Sequence, residues 1–244
     1  MTEKRHELLE ANDEDIWSAK HAKHYDKSVR GRFAIYPELH RLVRHSLVHS
    51  LPARSKILML GCGSGEEIVQ AASAMPDLSI VGVDTSKDML SFAKRKVQDA
   101  QIEDRCELIH NYLSDSPKVQ YDGSTAILVS HFMPDNESPQ SRRACAQELF
   151  KRLKPGAPLI VANVLGTPGE AQFEREYKMW KELVLSTVDD VQRWEENFDS
   201  IRTMVQWVSE DRELEIWNEA GFEVHAFLMR WLAVRVWLFR KKKC

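Results

Sequence analysis

Between Ile57 and Val164 the chain repeats a short apolar run, a turn and a stretch with helical spacing. The apolar runs are Ile57–Leu60, Ser79–Val83, Glu107–His110, Thr125–Val129 and Leu159–Val164. Helical patterns fall at Glu66–Ala74, Ser86–Val97 and Arg142–Leu153, the last stopped by Lys154-Pro155-Gly156. Parallel neighbours in a sheet require crossovers of this kind, so the alternation predicts an α/β domain on a largely parallel sheet.

The flanks read differently. Asp13–Arg30 and Pro37–Ser50 read as helices, the second with Leu39, Leu42, Val43, Leu47 and Val48 at helical spacing and Pro37 in its first turn. After Gly166 the alternation ends, and Glu170 to about Arg202 reads as helical, with Phe173, Tyr177, Met179, Trp180, Trp194 and Phe198. Ser209 reads as an N-cap followed by acids, and Gly221 as the residue just past that helix. Phe222–Met229 and Leu232–Phe239 read as a closing pair of strands. The expected organisation is a helical extension or lid at 1–50, a core at 51–166, a helical insertion capping the substrate at 167–208, and a closing helix and strands at 209–244.

Composition narrows the setting. The 244 residues carry a net charge of −3, too balanced for a strong electrostatic grip on nucleic acid. No apolar run approaches the roughly 18–20 residues of a membrane span, and the first residues show no apolar signal core. Four scattered cysteines then read as free thiols in a reducing compartment, and a cytoplasmic protein is expected.

Leu60-Gly61-Cys62-Gly63-Ser64-Gly65-Glu66-Glu67 sits between a buried strand and a helix, where backbone amides approach a ligand with no Cβ in the way. Asp84 ends the next strand, nineteen residues past Gly65. A carboxylate there can accept both hydroxyls of a ribose. The third glycine comes one residue early for a dinucleotide fingerprint, and two acids at the helix start would repel a pyrophosphate. No Walker-type phosphate loop occurs. Charge points instead to a nucleoside carrying a sulfonium and an ammonium: S-adenosylmethionine (SAM), with S-adenosylhomocysteine as its demethylated product.

At these residues the chain resembles the class I SAM-dependent methyltransferases. Leu60–Gly65 is similar to that family's first motif, Gly82–Leu90 to its second, and Leu128–Asp135 to the segment after strand four. Leu153-Lys154-Pro155-Gly156 resembles the lead into strand five, and Asn218–Phe222 the lead into strand six. The resemblance runs from about Tyr25 to Phe239 and implies a Rossmann-like, seven-stranded, mostly parallel sheet with an antiparallel last strand. Tyr25-Asp26, Tyr36-Pro37 and Phe198–Met204 are similar to a small branch containing the tRNA-modifying carboxy-SAM synthases. That likeness implies cofactor contact for Tyr36 and for Arg202, which would meet a carboxylated ligand. The chain departs from the branch at Asn111-Tyr112, where Gly-Asp is usual, and at Ser130, where the branch has Asn.

The expected cofactor contacts are therefore Tyr36, Gly61, Cys62, Gly63, Gly65, Asp84, Thr85, Ser86, Met89, Tyr112, Leu113, Ser130 and Arg202. Cys62 reads first as a small packing residue. Asp84 has a rival role as a helix cap, and Met89 as core. Tyr112 and Leu113 either edge the adenine or simply end a strand. Methyl transfer is an in-line displacement that needs alignment in a dry pocket, and a base only if the acceptor must lose a proton. His131 is the candidate base, or else a structural histidine; Tyr25 and Tyr36 either orient substrate or pack helices. Trp180, Trp194, Trp207 and Tyr177 either wall an acceptor pocket or hold the insertion to the sheet. His45 and His49 share a helix face without a third ligand nearby, so no metal site is expected. The expected partners are a small-molecule methyl acceptor and, in a homodimer, a second copy of the chain. A SAM-modifying enzyme of the carboxy-SAM synthase type and a non-catalytic SAM-binding module are the competing readings.

Overall fold

The computed structural model describes residues 29–186, 188 and 191–243, with backbone alone for 191–197. Its elements are α1 Tyr36–Ser50, β1 Lys56–Leu60, α2 Glu66–Ala74, β2 Ser79–Asp84, α3 Lys87–Asp99, β3 Cys106–His110, β4 Gly123–Ile127, α4 Arg142–Arg152, β5 Pro158–Val164, α5 Ala171–Leu185, α6 Val191–Met204, α7 Glu210–Glu219, β6 Phe222–Trp231 and β7 Val234–Lys241. The helix expected at Asp13–Arg30 and the candidate Tyr25 lie outside the described residues, apart from 29 and 30, which are helical together with 31 and 32.

Side chains alternate along each strand, and both faces of the central strands β1, β2, β4, β5 and β7 are buried. Ile57 and Met59 of β1 face a core shared with α1, α2, α3 and α5, whereas Leu58 and Leu60 face one shared with α4 and α7. This two-sided burial is why the strands read as continuous apolar runs. The seven strands lie in the order β3-β2-β1-β4-β5-β7-β6. β1 to β5 pair in parallel, and β7 runs antiparallel to both β5 and β6. From β1 the chain winds outward through β2 to β3, then returns to β4 on the other side. The crevice above the carboxyl ends of β1 and β4 is thus the switch point of the sheet, where open α/β sheets bind ligands.

Three boundaries differ from the sequence expectation. β4 spans Gly123–Ile127 rather than Thr125–Val129, because Leu128 adopts φ +56° and turns the chain out of the ladder. A branched side chain at positive φ is strained, a condition that concentrates at functional sites, and Leu128 lines the crevice. The expected long helix after Gly166 is two helices, α5 and α6, whose apolar stripes face each other through Tyr177 and Phe198, with ring centroids 5.2 Å apart. β7 begins at Val234 because Leu232 and Ala233 form the turn between paired Trp231 and Val234. The Ser209 hydroxyl caps α7 by accepting the N–H of Arg212.

Aromatic contacts attach the insertion to its surroundings. Trp180 is fully buried, its ring 5.0 Å from Phe33 and from Phe198, and its indole N–H donates to the Arg32 carbonyl. Trp180 joins the insertion to Phe33 and Trp231, Tyr177 packs inside it against Phe173 and Phe198, and the side chain of Trp194 lies outside the described residues.

Candidate functional site

The loop after β1 is shaped by positive-φ glycines. Gly61, at φ +61°, has no room for a side chain: a Cβ would lie 2.3 Å from Val129. Gly65, at φ +80°, is the N-cap of α2, and a Cβ there would lie 2.9 Å from the Cα of Ala93. Gly65 therefore serves the close packing of α2 on α3, and it does not line the crevice. Between them Gly63 leaves its amide free to point across to β2, where it donates to Asp84 Oδ2 at 2.8 Å.

Asp84 ends β2 and lines a cavity of about 670 Å³ at the switch point. Its Oδ1 accepts the Ser86 N–H at 2.9 Å and the Thr85 amide also acts on the carboxylate, which, with about four acceptor sites, keeps lone-pair capacity for a hydroxyl. Burial raises the acid above its ordinary value, while the Ser86 and Gly63 amides pull it back. The helix cap of α3 is not Asp84 but Ser86, whose hydroxyl accepts the Met89 N–H. With that hydroxyl engaged and buried, Ser86 is outside the cavity lining.

The remaining walls come from several elements. Thr85 and Met89 follow Asp84, and Asn111, Tyr112, Leu113 and Ser114 come from the turn after β3. Leu128, Val129, Phe132 and Met133 descend from β4, and Ala144, Cys145 and Glu148 rise from α4. Gly61, Gly63, Asp84, Thr85, Met89, Tyr112 and Leu113 thus meet around one cavity, and Tyr112 is the exposed ring at its mouth.

The other expected residues go elsewhere. Cys62 is buried beside Gly82, where a Cβ would come within 2.9 Å of its sulfur, and burial pushes its thiol well above the ordinary value. Tyr36 is buried against His40, ring centroids 4.4 Å apart, with the Arg30 guanidinium 5.5 Å from its ring centre. Ser130 accepts from the Asn163 amide at 2.6 Å. His131 is buried, with Nδ1 3.4 Å from Asn163 Oδ1, and burial together with the Arg142 charge lowers its pKa to about 3. Arg202, on α6, forks onto Glu174 at 2.9 and 2.5 Å and stacks 5.3 Å from the Tyr177 ring centre.

Two buried arginines hold this site, and neither carries a signal in the sequence. Arg142 pairs with Glu213 at 2.5 Å, both fully buried, and donates to the carbonyl of Gln206. Glu213 also accepts from Asn163 and from the Trp217 indole, so β5, α4 and α7 lock together beneath Ser130 and His131. Arg152 donates to the carbonyls of Leu113 and Ser116 at 2.6 and 3.1 Å and pairs with Glu148 at 2.8 Å. It braces the turn that forms one wall of the cavity.

This crevice fits SAM on structural grounds: a carboxylate with spare acceptor capacity, a loop that presents Gly61 and Gly63 without a Cβ, and an exposed aromatic ring, Tyr112, in the lining. Residues 57–156, which supply the glycine loop, Asp84 and the whole of α4, match the model of the methyltransferase domain. This stretch is a methyltransferase domain, and the chain is similar to the class I SAM-dependent methyltransferases. Its cofactor is SAM. This methyltransferase is 24% identical over 222 residues to the carboxy-S-adenosyl-L-methionine synthase of Campylobacter hominis, covering 89% of this chain and 90% of that one. It is 30% identical over 151 residues to the malonyl-[acyl-carrier protein] O-methyltransferase of Priestia megaterium, covering 59% of this chain and about half, 48%, of that one. Magnesium protoporphyrin IX methyltransferase from Synechocystis, solved with bound S-adenosylhomocysteine, shares the fold, with a TM-score of 0.63, 18% identity and coverage of 88% and 86%. No helix among the described residues is long and apolar enough to cross a membrane.

Proposed function

We propose that this enzyme transfers the methyl group of SAM to an uncharged, partly apolar small molecule. The observation that carries the SAM-binding half is Asp84, clamped by the Gly63 and Ser86 amides and facing a cavity of about 670 Å³. In this reading Asp84 accepts the ribose hydroxyls, and Tyr112 and Leu113 flank the adenine. When bound, SAM supplies a methyl group whose carbon takes the acceptor's lone pair as the carbon–sulfur bonding pair returns to sulfur.

The chain's own residues then align and exclude water rather than exchange protons. Among the described residues, the ionisable side chains lining the cavity are Asp84, Tyr112, Cys145 and Glu148. Asp84 is committed to the ribose, Glu148 is paired with Lys151 and Arg152, and burial pushes Cys145 up to about 12. His131, at about 3 and away from the lining, is a positioning residue in this reading rather than a base. Catalysis by orientation suits an acceptor that is already nucleophilic. The small-molecule assignment draws on the large side chains of the insertion, although no insertion residue among those described lines the cavity. Within it Arg202 pairs with Glu174 and Lys181 with Asp199, its Glu176 pairs with Arg230 of β6, and half-buried Trp231 of β6 lies 6.2 Å from its Trp180.

The second reading is carboxy-SAM synthesis, favoured by the relative from Campylobacter hominis that matches along nearly its whole length. Against it stands Glu174, which already occupies the Arg202 fork that a carboxylated ligand would need. Mass spectrometry of the nucleoside that co-purifies decides: SAM or S-adenosylhomocysteine supports methyl transfer, and a carboxylated SAM overturns it. A non-catalytic module is excluded once S-adenosylhomocysteine accumulates in the presence of a metabolite extract.

A further inference from the structure

Two acids open α2, and they differ sharply. Glu66 is neutralised by Arg30 at 3.0 Å and Lys96 at 3.3 Å, with Gln70 donating to it as well. Glu67 is turned inward and is only 7% exposed. Its Oε1 has no hydrogen-bond partner among the described residues, and no cation pairs with the carboxyl there. Its neighbours place it on the inner side of the glycine loop: the Thr125 hydroxyl of β4 acts on the carboxyl, and the Cys62 thiol feels both Glu67 and Asp84. A buried carboxyl without a counter-charge is held neutral by desolvation, and burial brings it to about 7 despite the pull of Thr125. The loop above it receives a ligand with two positive centres.

We propose that Glu67 is the buried counter-charge for the cationic end of SAM: its carboxyl releases a proton to solvent as the ligand binds, and the resulting carboxylate holds that charge against the glycine loop. Glu67 does not line the cavity, so it is a positioning group acting across the loop rather than a catalytic residue. Ionisable groups on the elements packed around α2 are Cys62 of the loop, Asp84 of β2, Lys96 of α3, already paired with Glu66, and the buried Tyr36 and His40 of α1. Cys62 is pushed further from ionisation by burial, and Asp84 is the other carboxyl whose field reaches that thiol.

The inference rests on SAM as the ligand of this loop, and its test separates the two. SAM affinity is measured by calorimetry between pH 6 and pH 8 for the native chain and for Glu67→Gln, with proton release read from buffers of different ionisation enthalpy. Because a cation favours the carboxylate, native affinity should gain about tenfold more than that of Glu67→Gln as pH rises through 7, for a group near 7 that binds ionised. Native protein should also release more protons than the variant. Identical pH dependence and proton release in the two proteins overturn the role of Glu67 and leave SAM binding intact, whereas no binding at any pH overturns the cofactor reading itself. Infrared difference spectra of the native chain give an independent check if the variant does not fold: a protonated-carboxyl band must vanish on adding SAM, and a band that persists overturns the inference.

Discussion

The Gly63 amide donates to Asp84 Oδ2 at 2.8 Å, so the loop after β1 and the end of β2 are joined by the same carboxylate that faces the cavity. Losing it removes this brace and, in the proposed role, a ligand acceptor as well. Asp84→Ala should weaken SAM binding by at least the value of one charge-assisted hydrogen bond, about 1.5–3 kcal/mol. Calorimetry with SAM measures this directly, and unchanged affinity would remove the ribose role.

Gly65→Ala tests a different use of glycine. The new methyl meets Ala93 at 2.9 Å, and φ +80° is unfavourable for any side chain. The expected cost is about 1–3 kcal/mol of folding stability from strain and overpacking. Denaturant unfolding reads the loss, and a native-like midpoint would show that α2 and α3 can separate freely.

Arg152→Met leaves the carbonyls of Leu113 and Ser116 without their donor, and Glu148 with Lys151 as its remaining cation. Breaking a buried ion pair from one side typically costs about 3–5 kcal/mol, the upper limit here because Glu148 is partly exposed. Beyond lower stability, SAM affinity should fall because the wall at Leu113 loosens, and Arg152→Lys should restore part of both. Affinity unaffected in a folded Arg152→Met protein would show that this turn does not touch the ligand.

His131 sets a pH effect on stability. Its folded value of about 3 lies below the ordinary 6.5, so the unfolded chain binds the extra proton between these limits. Stability should therefore fall as pH drops from about 6.5 toward 3, by as much as about 1.4 kcal/mol per pH unit from this one group. His131→Gln should flatten that part of the curve. If stability in the native chain and the variant falls equally with acid, His131 is not the group responsible.

The architecture was legible in the sequence because burial on both faces of a parallel sheet leaves continuous apolar runs, and crossover helices leave periodic ones. The same local logic located Gly61, Gly63 and Asp84, since a loop that approaches a ligand needs missing Cβ atoms and a strand end can present an acid. Tertiary structure decided the rest. Ser130, His131 and Arg202 carry functional side-chain types, yet each is engaged by a partner more than twenty-five residues away: Asn163, Asn163 and Glu174. Leu128 leaves the ladder by its backbone angle, and Arg152 is an ordinary helix-end cation until the fold brings the Leu113 turn against it. Which of two adjacent acids stays charged depends on the same thing: Glu66 meets Arg30 and Lys96, while Glu67 meets only the interior. Periodicity reports which side of an element is apolar, but the identity of a side chain's neighbour, and hence its charge and freedom to bind, exists only once distant segments have packed.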